Sequence, residues 1–168
     1  MDKLDIRFDW QHGALKGLDA APARIKLAMK NAITSVTQWA RVQVRREVSK
    51  ATGVQLRVIQ GRMHITVRDN FGWIWVGLNP ISVRRLDPKV VSGGVQAAGR
   101  FFPDAFIVGG DGPLAGQVMV RKGAARLPIQ KQTVDIQKEG EAAVRRISEQ
   151  VNTRLYTEFS RQMERIAA

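Results

Sequence analysis

The chain has 168 residues and no cysteine, and its 27 lysines and arginines outnumber 15 aspartates and glutamates to leave a formal charge of +12. That length suits one domain with a core of its own, while the missing cysteine excludes a disulfide framework, a thiolate nucleophile and any Cys-based metal site. No apolar run approaches the roughly 18 residues of a membrane span, and the opening MDKLDIRFDW is unlike a signal peptide, so a soluble, intracellular, basic domain is expected.

Leu4, Ile6, Phe8 and Trp10 alternate with Asp5, Arg7 and Asp9, the period-two signature of a half-buried strand. After His12-Gly13, Asp19 to Pro22 reads as a helix start with proline in the first turn. From about Pro22 to Lys50, apolar residues from Ile25 to Val44 recur every three or four positions and predict a long amphipathic helix. Its last turns carry Arg41, Arg45, Arg46 and Lys50, where cations favour the negative end of the helix dipole. Thr52-Gly53 interrupts, and Val54 to Gly61 predicts a short second helix ending at its glycine.

Met63–Val67 and Gly72–Gly77 are β-branched or aromatic runs and predict a β-hairpin closed at 68–71. Trp73 and Trp75 then share one face of their strand. Residues 92–123 hold eight of the 15 glycines and read as the irregular part of the chain. Two strand-like islands, Asp104–Val108 and Gln117–Arg121, lie within it around a turn at Gly109–Pro113. Leu127-Pro128-Ile129 looks extended. From about Glu139, Val144, Ile147, Val151, Leu155, Phe159, Met163 and Ile166 predict a second long helix.

The fold class expected is therefore α+β: a small antiparallel sheet with a β-hairpin, packed by long N-terminal and C-terminal helices, with glycine-rich loops between strands. A single domain spans 1–168. Its parts are a strand and linker (1–20), helices (21–61), sheet and glycine-rich loops (62–131), and the C-terminal helix (132–168).

Catalysis finds no foothold. His12 and His64 are the only histidines; neither has a second histidine at ligand spacing, and they read as a turn residue and a strand residue. Gly109–Gly116 (GGDGPLAG) lacks the Lys-Ser/Thr and following helix of a phosphate-cradling loop. No acidic pair is placed to collect a metal. The expectation is a non-enzyme with no cofactor and no metal.

The charge is concentrated. Residues 21–68 carry ten cations against Glu47 alone, and 81–131 carry eight against three, whereas 132–168 are balanced as on a solvated helix face. Cations on glycine-rich loops reach phosphates easily and carry little base specificity, and no helix-turn-helix, zinc-finger or RNP-type pattern accompanies them.

Three ordered segments carry a resemblance: WIWVGLNPISVRRL (73–86), AGRFFPDAFIV (98–108) and ARLPIQ (125–130), the last leading into the terminal helix. With the N-terminal helix, they resemble the prophage minor tail protein Z family of tailed bacteriophages over roughly residues 15–165. One departure is Asp104, which stands where relatives often have glycine after the proline. The resemblance implies a virion structural or assembly protein, a minor tail or tail completion (neck) protein at the head-proximal end of the tail. It implies an oligomeric ring, hexameric by the usual tail symmetry, that encloses the DNA channel and enables head–tail joining. The partners implied are further copies of the chain, neighbouring tail and neck proteins, and double-stranded DNA contacted without sequence preference, with no membrane. The location implied is the virion, and the host cytoplasm during assembly. The alternative from charge alone is a free, non-sequence-specific nucleic-acid-binding protein. Arg84, Arg85, Lys89 and Arg100 are the candidates for lining the channel. Trp73, Trp75, Phe101, Phe102 and Phe106 are candidates for core or subunit contact.

Overall fold

The computed structural model describes residues 4–9, 22–68, 70–123 and 127–167. The N-terminal strand expectation falls partly inside this range, as β1 (Leu4–Asp9); Trp10, His12, Asp19, Asp69 and residues 125–126 of the third resembling segment lie outside it. The architecture is α+β, with two long helices and short antiparallel strands.

Helix α1 (Ala23–Thr52) begins after Pro22, whose φ of −53° and ψ of 146° leave it one residue outside the helix instead of in the first turn. Gly53 ends it at φ 68°, the left-handed conformation that glycine adopts without steric cost. The short α2 (Leu56–Gln60) follows and stops at Gly61. The expected hairpin is β2 (Met63–Val67) and β3 (Phe71–Val76), closed by the Arg68 N–H donating to the Phe71 carbonyl at 2.8 Å. β1 pairs with the other edge of β3, giving the order β1-β3-β2.

The middle of the chain is more regular than its glycines suggest. β4 (Ile81–Ser82) leads into a single 3-10 turn at Val83–Leu86. β5 (Lys89–Val91), β6 (Gly94–Ala97) and β7 (Arg100–Pro103) then form an antiparallel meander. The reading of 92–123 as irregular is corrected here, because Gly93 and Gly99 are turn residues at φ 77° and 72° and not loop filler. Ala98 and Gly99, both at positive φ, make the two-residue link between β6 and β7 that matches strand twist. The two expected islands are β8 (Ala105–Ile107) and β9 (Val118–Arg121), joined by β10 (Ile129–Lys131) in the order β10-β9-β8. β11 (Thr133–Val134) returns to pair with β4 before α3 (Gln137–Ala167) begins. Among the described residues the strands thus form four small antiparallel sheets, and 132–136 precede the terminal helix instead of belonging to it.

α1 and α3 run antiparallel and form the most extensive packing contact: Ala51 borders the start of α3, Trp39 lies beside Arg154, and Ser35 lies beside Glu158. α1 presents Met29, Ala32, Ile33, Val36, Ala40, Val44 and Val48 to the core, with Ile74 and Val76 of β3 among its buried partners. Ile33, Ile59, Ile74, Ile81, Leu86 and Ile136 are wholly buried, each contributing about 1.5–3 kcal/mol of transfer free energy before ordering costs. Among the described residues no helix is long and apolar enough to cross a membrane.

The α3 stripe departs from its expected course. Val144, Ile147, Val151 and Leu155 are buried, but the next core seat is Glu158, with Phe159 only partly covered. A run of four-residue steps drifts about 40° per step around a helix of 3.6 residues per turn, so the buried row takes position 158 before 159.

Candidate nucleic-acid interface

The 3-10 turn presents cations because its two flanking residues are anchors. Val83 and Leu86 are buried, which leaves Arg84 and Arg85 between them exposed. Among the described residues neither arginine takes part in an ion pair. Arg84 lies across the β8–β9 loop: a Cβ on Gly116 would stand 3.3 Å from its Nε. Gly116 sits at φ 73°, a conformation that glycine adopts without steric cost.

Arg62, which the sequence reading did not single out, belongs to the same surface. Its Nε donates to the Gly77 carbonyl at 2.8 Å and its Nη2 to the Asn79 carbonyl at 2.6 Å and to the Asn79 side chain. The GLNPI segment is thereby tied to the start of β2. Burial, and next the charge of Arg85, lower the pKa of Arg62 from its ordinary value. Two arginines thus lie close enough beside the 3-10 turn for their charges to repel. The signal available beforehand was only Arg62's place in the basic block 21–68.

Asp87 ends the turn in a left-handed conformation, φ 51°. It accepts from Gln55 Nε2 at 2.8 Å and pairs with Arg57 of α2. The hydrogen bond from Gln55, then the charges and bond of Arg57 and the charge of Lys89, hold its carboxyl below its ordinary value despite some desolvation. Lys89 is exposed on β5, and its charge is the smallest of the influences that lower Asp87.

Arg100 stands apart from the other three channel candidates. It is half-buried, and its Nη2 donates to the Thr52 carbonyl at 3.2 Å, at the C-terminal end of α1. A guanidinium there satisfies a helix-end carbonyl and opposes the negative end of the dipole. Its side chain is accordingly engaged in closing α1, the place expected for the cations of α1's own last turns.

The five aromatic candidates divide. Phe102 packs against the core, whereas Phe101 is 55% exposed. Phe106 is half-buried with the Arg121 guanidinium 5.0 Å from its ring centroid, a cation–π distance. Trp73 and Trp75 share a face as expected, but it is opposite to the one carrying buried Ile74 and Val76. Both are half-buried, and the Trp75 ring lies 5.3 Å from that of His64, an exposed residue of β2.

Among the described residues no group of histidine and carboxylate side chains is arranged to hold a metal. Two open grooves run beside α3. One, of about 600 Å³, is lined by both signs of charge, including Lys138, Glu139, Arg145 and Glu149; the other, of about 430 Å³, follows Trp39 and Arg154. No family model, no curated protein and no solved structure matches the chain.

Proposed function

We propose that the protein is a bacteriophage tail completion or neck protein, which assembles as a ring at the head-proximal end of the tail and lines the passage of double-stranded DNA. The observation that carries this reading is the ordered set of three segments resembling the minor tail protein Z family. Two of them meet at the cationic turn: WIWVGLNPISVRRL supplies Arg84, Arg85 and the Asn79 that Arg62 holds, and AGRFFPDAFIV leads into the β8–β9 loop against which Arg84 lies.

The physical logic of such a wall is indifference to sequence. Guanidinium groups on a short exposed turn contact phosphates through charge and release counterions, whatever the base sequence. Among the described residues Arg84 and Arg85 have no ion-pair partner, which leaves them available to an external anion. Arg84, Arg85 and Lys89 are the residues of this surface; Arg100 serves the fold.

Retention of double-stranded DNA by wild type and by the Arg84→Glu, Arg85→Glu, Lys89→Glu variant tests the wall. Retention that falls with rising salt, and is lost in the variant while its circular dichroism is unchanged, supports the reading. Equal retention by both proteins contradicts it.

A further inference from the structure

Arg62 is fixed by part of its guanidinium and open at the rest. Its Nε donates to the Gly77 carbonyl at 2.8 Å, while its Nη2 donates at the surface to the Asn79 carbonyl and side chain. Its Nη1 has no acceptor among the described residues. Only Pro80 and β4 separate Asn79 from the 3-10 turn, so the segment that fixes Arg62 is also the one that presents Arg85. Burial of Val83 and Leu86 anchors that turn.

No carboxylate balances the two guanidiniums. Of residues 70–103 only Asp87 is acidic, and its carboxylate is taken by Gln55 and by Arg57 of α2. Among the described residues neither Arg62 nor Arg85 belongs to an ion pair. The charge of Arg85 is accordingly felt at Arg62, whose pKa it lowers further after burial. Like charges held close without a counter-charge cost energy, and an anion beside both turns one repulsion into two attractions. The planar fork of a guanidinium matches the oxygens of a phosphate, and a fork already fixed loses little freedom on binding one.

We propose that Arg62 and Arg85 together form a clasp for one phosphate oxyanion. Arg62 is its fixed half and Arg85 its exposed half. The inference rests on the DNA-facing reading for its ligand, a backbone phosphate of the duplex, and adds Arg62 to that surface.

Thermal melts in inorganic phosphate and in chloride, at equal pH and ionic strength, test the clasp without DNA. Phosphate should raise the Tm of wild type above its value in chloride. Arg85→Gln should lose that rise, yet melt in chloride no lower than wild type, because a repulsion on Arg62 is gone. Arg84→Gln removes the same charge from the same turn and should keep the rise. Equal melts of wild type in the two salts, or a rise that survives Arg85→Gln, overturn the clasp.

DNA retention by Arg62→Gln, Arg85→Gln and the double variant forms the second arm. Each single variant should weaken retention about tenfold and the pair little more, where independent contacts would multiply to about a hundredfold. The double variant should lower the salt slope by about one phosphate, not two. Losses that multiply overturn the clasp. If Arg62→Gln misfolds, Arg62→Lys replaces it, since it keeps the charge and lacks the fork; it should lose most of the phosphate-specific rise in Tm. A phosphate-specific rise without DNA retention supports the clasp with free phosphate as its ligand and contradicts the DNA-facing reading. Retention without that rise, with losses that multiply, does the reverse.

Discussion

Thr37 of α1 sits directly over Gly72 of β3, so that a Cβ at position 72 would overlap its hydroxyl oxygen and lie 3.2 Å from its own Cβ. Both residues are buried, and the Thr37 hydroxyl donates back to the Ile33 carbonyl at 2.7 Å. The missing side chain at 72 sets how closely the helix approaches the central strand. Gly72→Ala is accordingly expected to push α1 from the sheet and destabilise the fold by about 1–3 kcal/mol, read as a lower midpoint in urea. An unchanged midpoint would mean that the helix repacks freely.

Ala98 occupies a positive φ of 48° in the two-residue link between β6 and β7. A residue with a Cβ is strained there by about 1–2 kcal/mol, part of which glycine returns through its freer unfolded chain. Ala98→Gly is expected to raise Tm by about 1–3 °C. A lower Tm would show that the packing of Ala98 against the core outweighs its backbone strain.

Glu158 is a buried carboxylate on a helix whose charges, read from sequence, look like a solvated face. Burial alone would raise its pKa. Hydrogen bonds from Arg161 at 2.6 Å and Gln162 at 3.2 Å outweigh burial, with the charge of Arg161 and with Ser35 of α1 alongside, and lower it from the ordinary 4.5. A lowered folded pKa gives stability that is complete above the unfolded value and is lost as pH falls through the folded one. Tm should therefore decline on acidification below the ordinary glutamate range. Glu158→Gln should flatten that acid limb and lower Tm at neutral pH. An acid limb equally steep in both proteins would assign the pH dependence to other groups.

Arg100 and the pair Arg84–Arg85 should separate in function. Arg100→Gln removes the bond to Thr52 and is expected to cost about 1–2 kcal/mol of stability with DNA retention per folded molecule unchanged. Arg84→Glu with Arg85→Glu should leave stability within about 0.5 kcal/mol and weaken DNA retention. Thermal melts and retention assays on the same preparations check both halves. The reverse pattern would place Arg100 on the DNA-facing surface.

Residues with a strong period were legible before any coordinates. Val144, Ile147 and Val151 mark α3, the stripe from Met29 to Val44 marks α1, and the alternation around Ile74 marks β3, because each pattern repeats the geometry of its element. The meander was not legible: its strands are three or four residues long, and Gly93, Gly94 and Gly99 resemble loop filler when they are turn and close-contact residues. Side-chain direction was also out of reach. Nothing local distinguishes Arg100, turned onto a helix end 48 residues away, from Arg84, turned outward. Asp104 shows the opposite case. The resemblance puts glycine there, and Asp104 takes φ 56°, a conformation in which aspartate is among the better-tolerated substitutes for glycine.

The most direct measurement of the central claim is electron microscopy of phage particles assembled without this protein. Full heads and complete but unattached tails, with joining restored by adding the purified chain, are the expected result. Heads and tails joined normally in its absence would contradict the assignment to the head–tail junction.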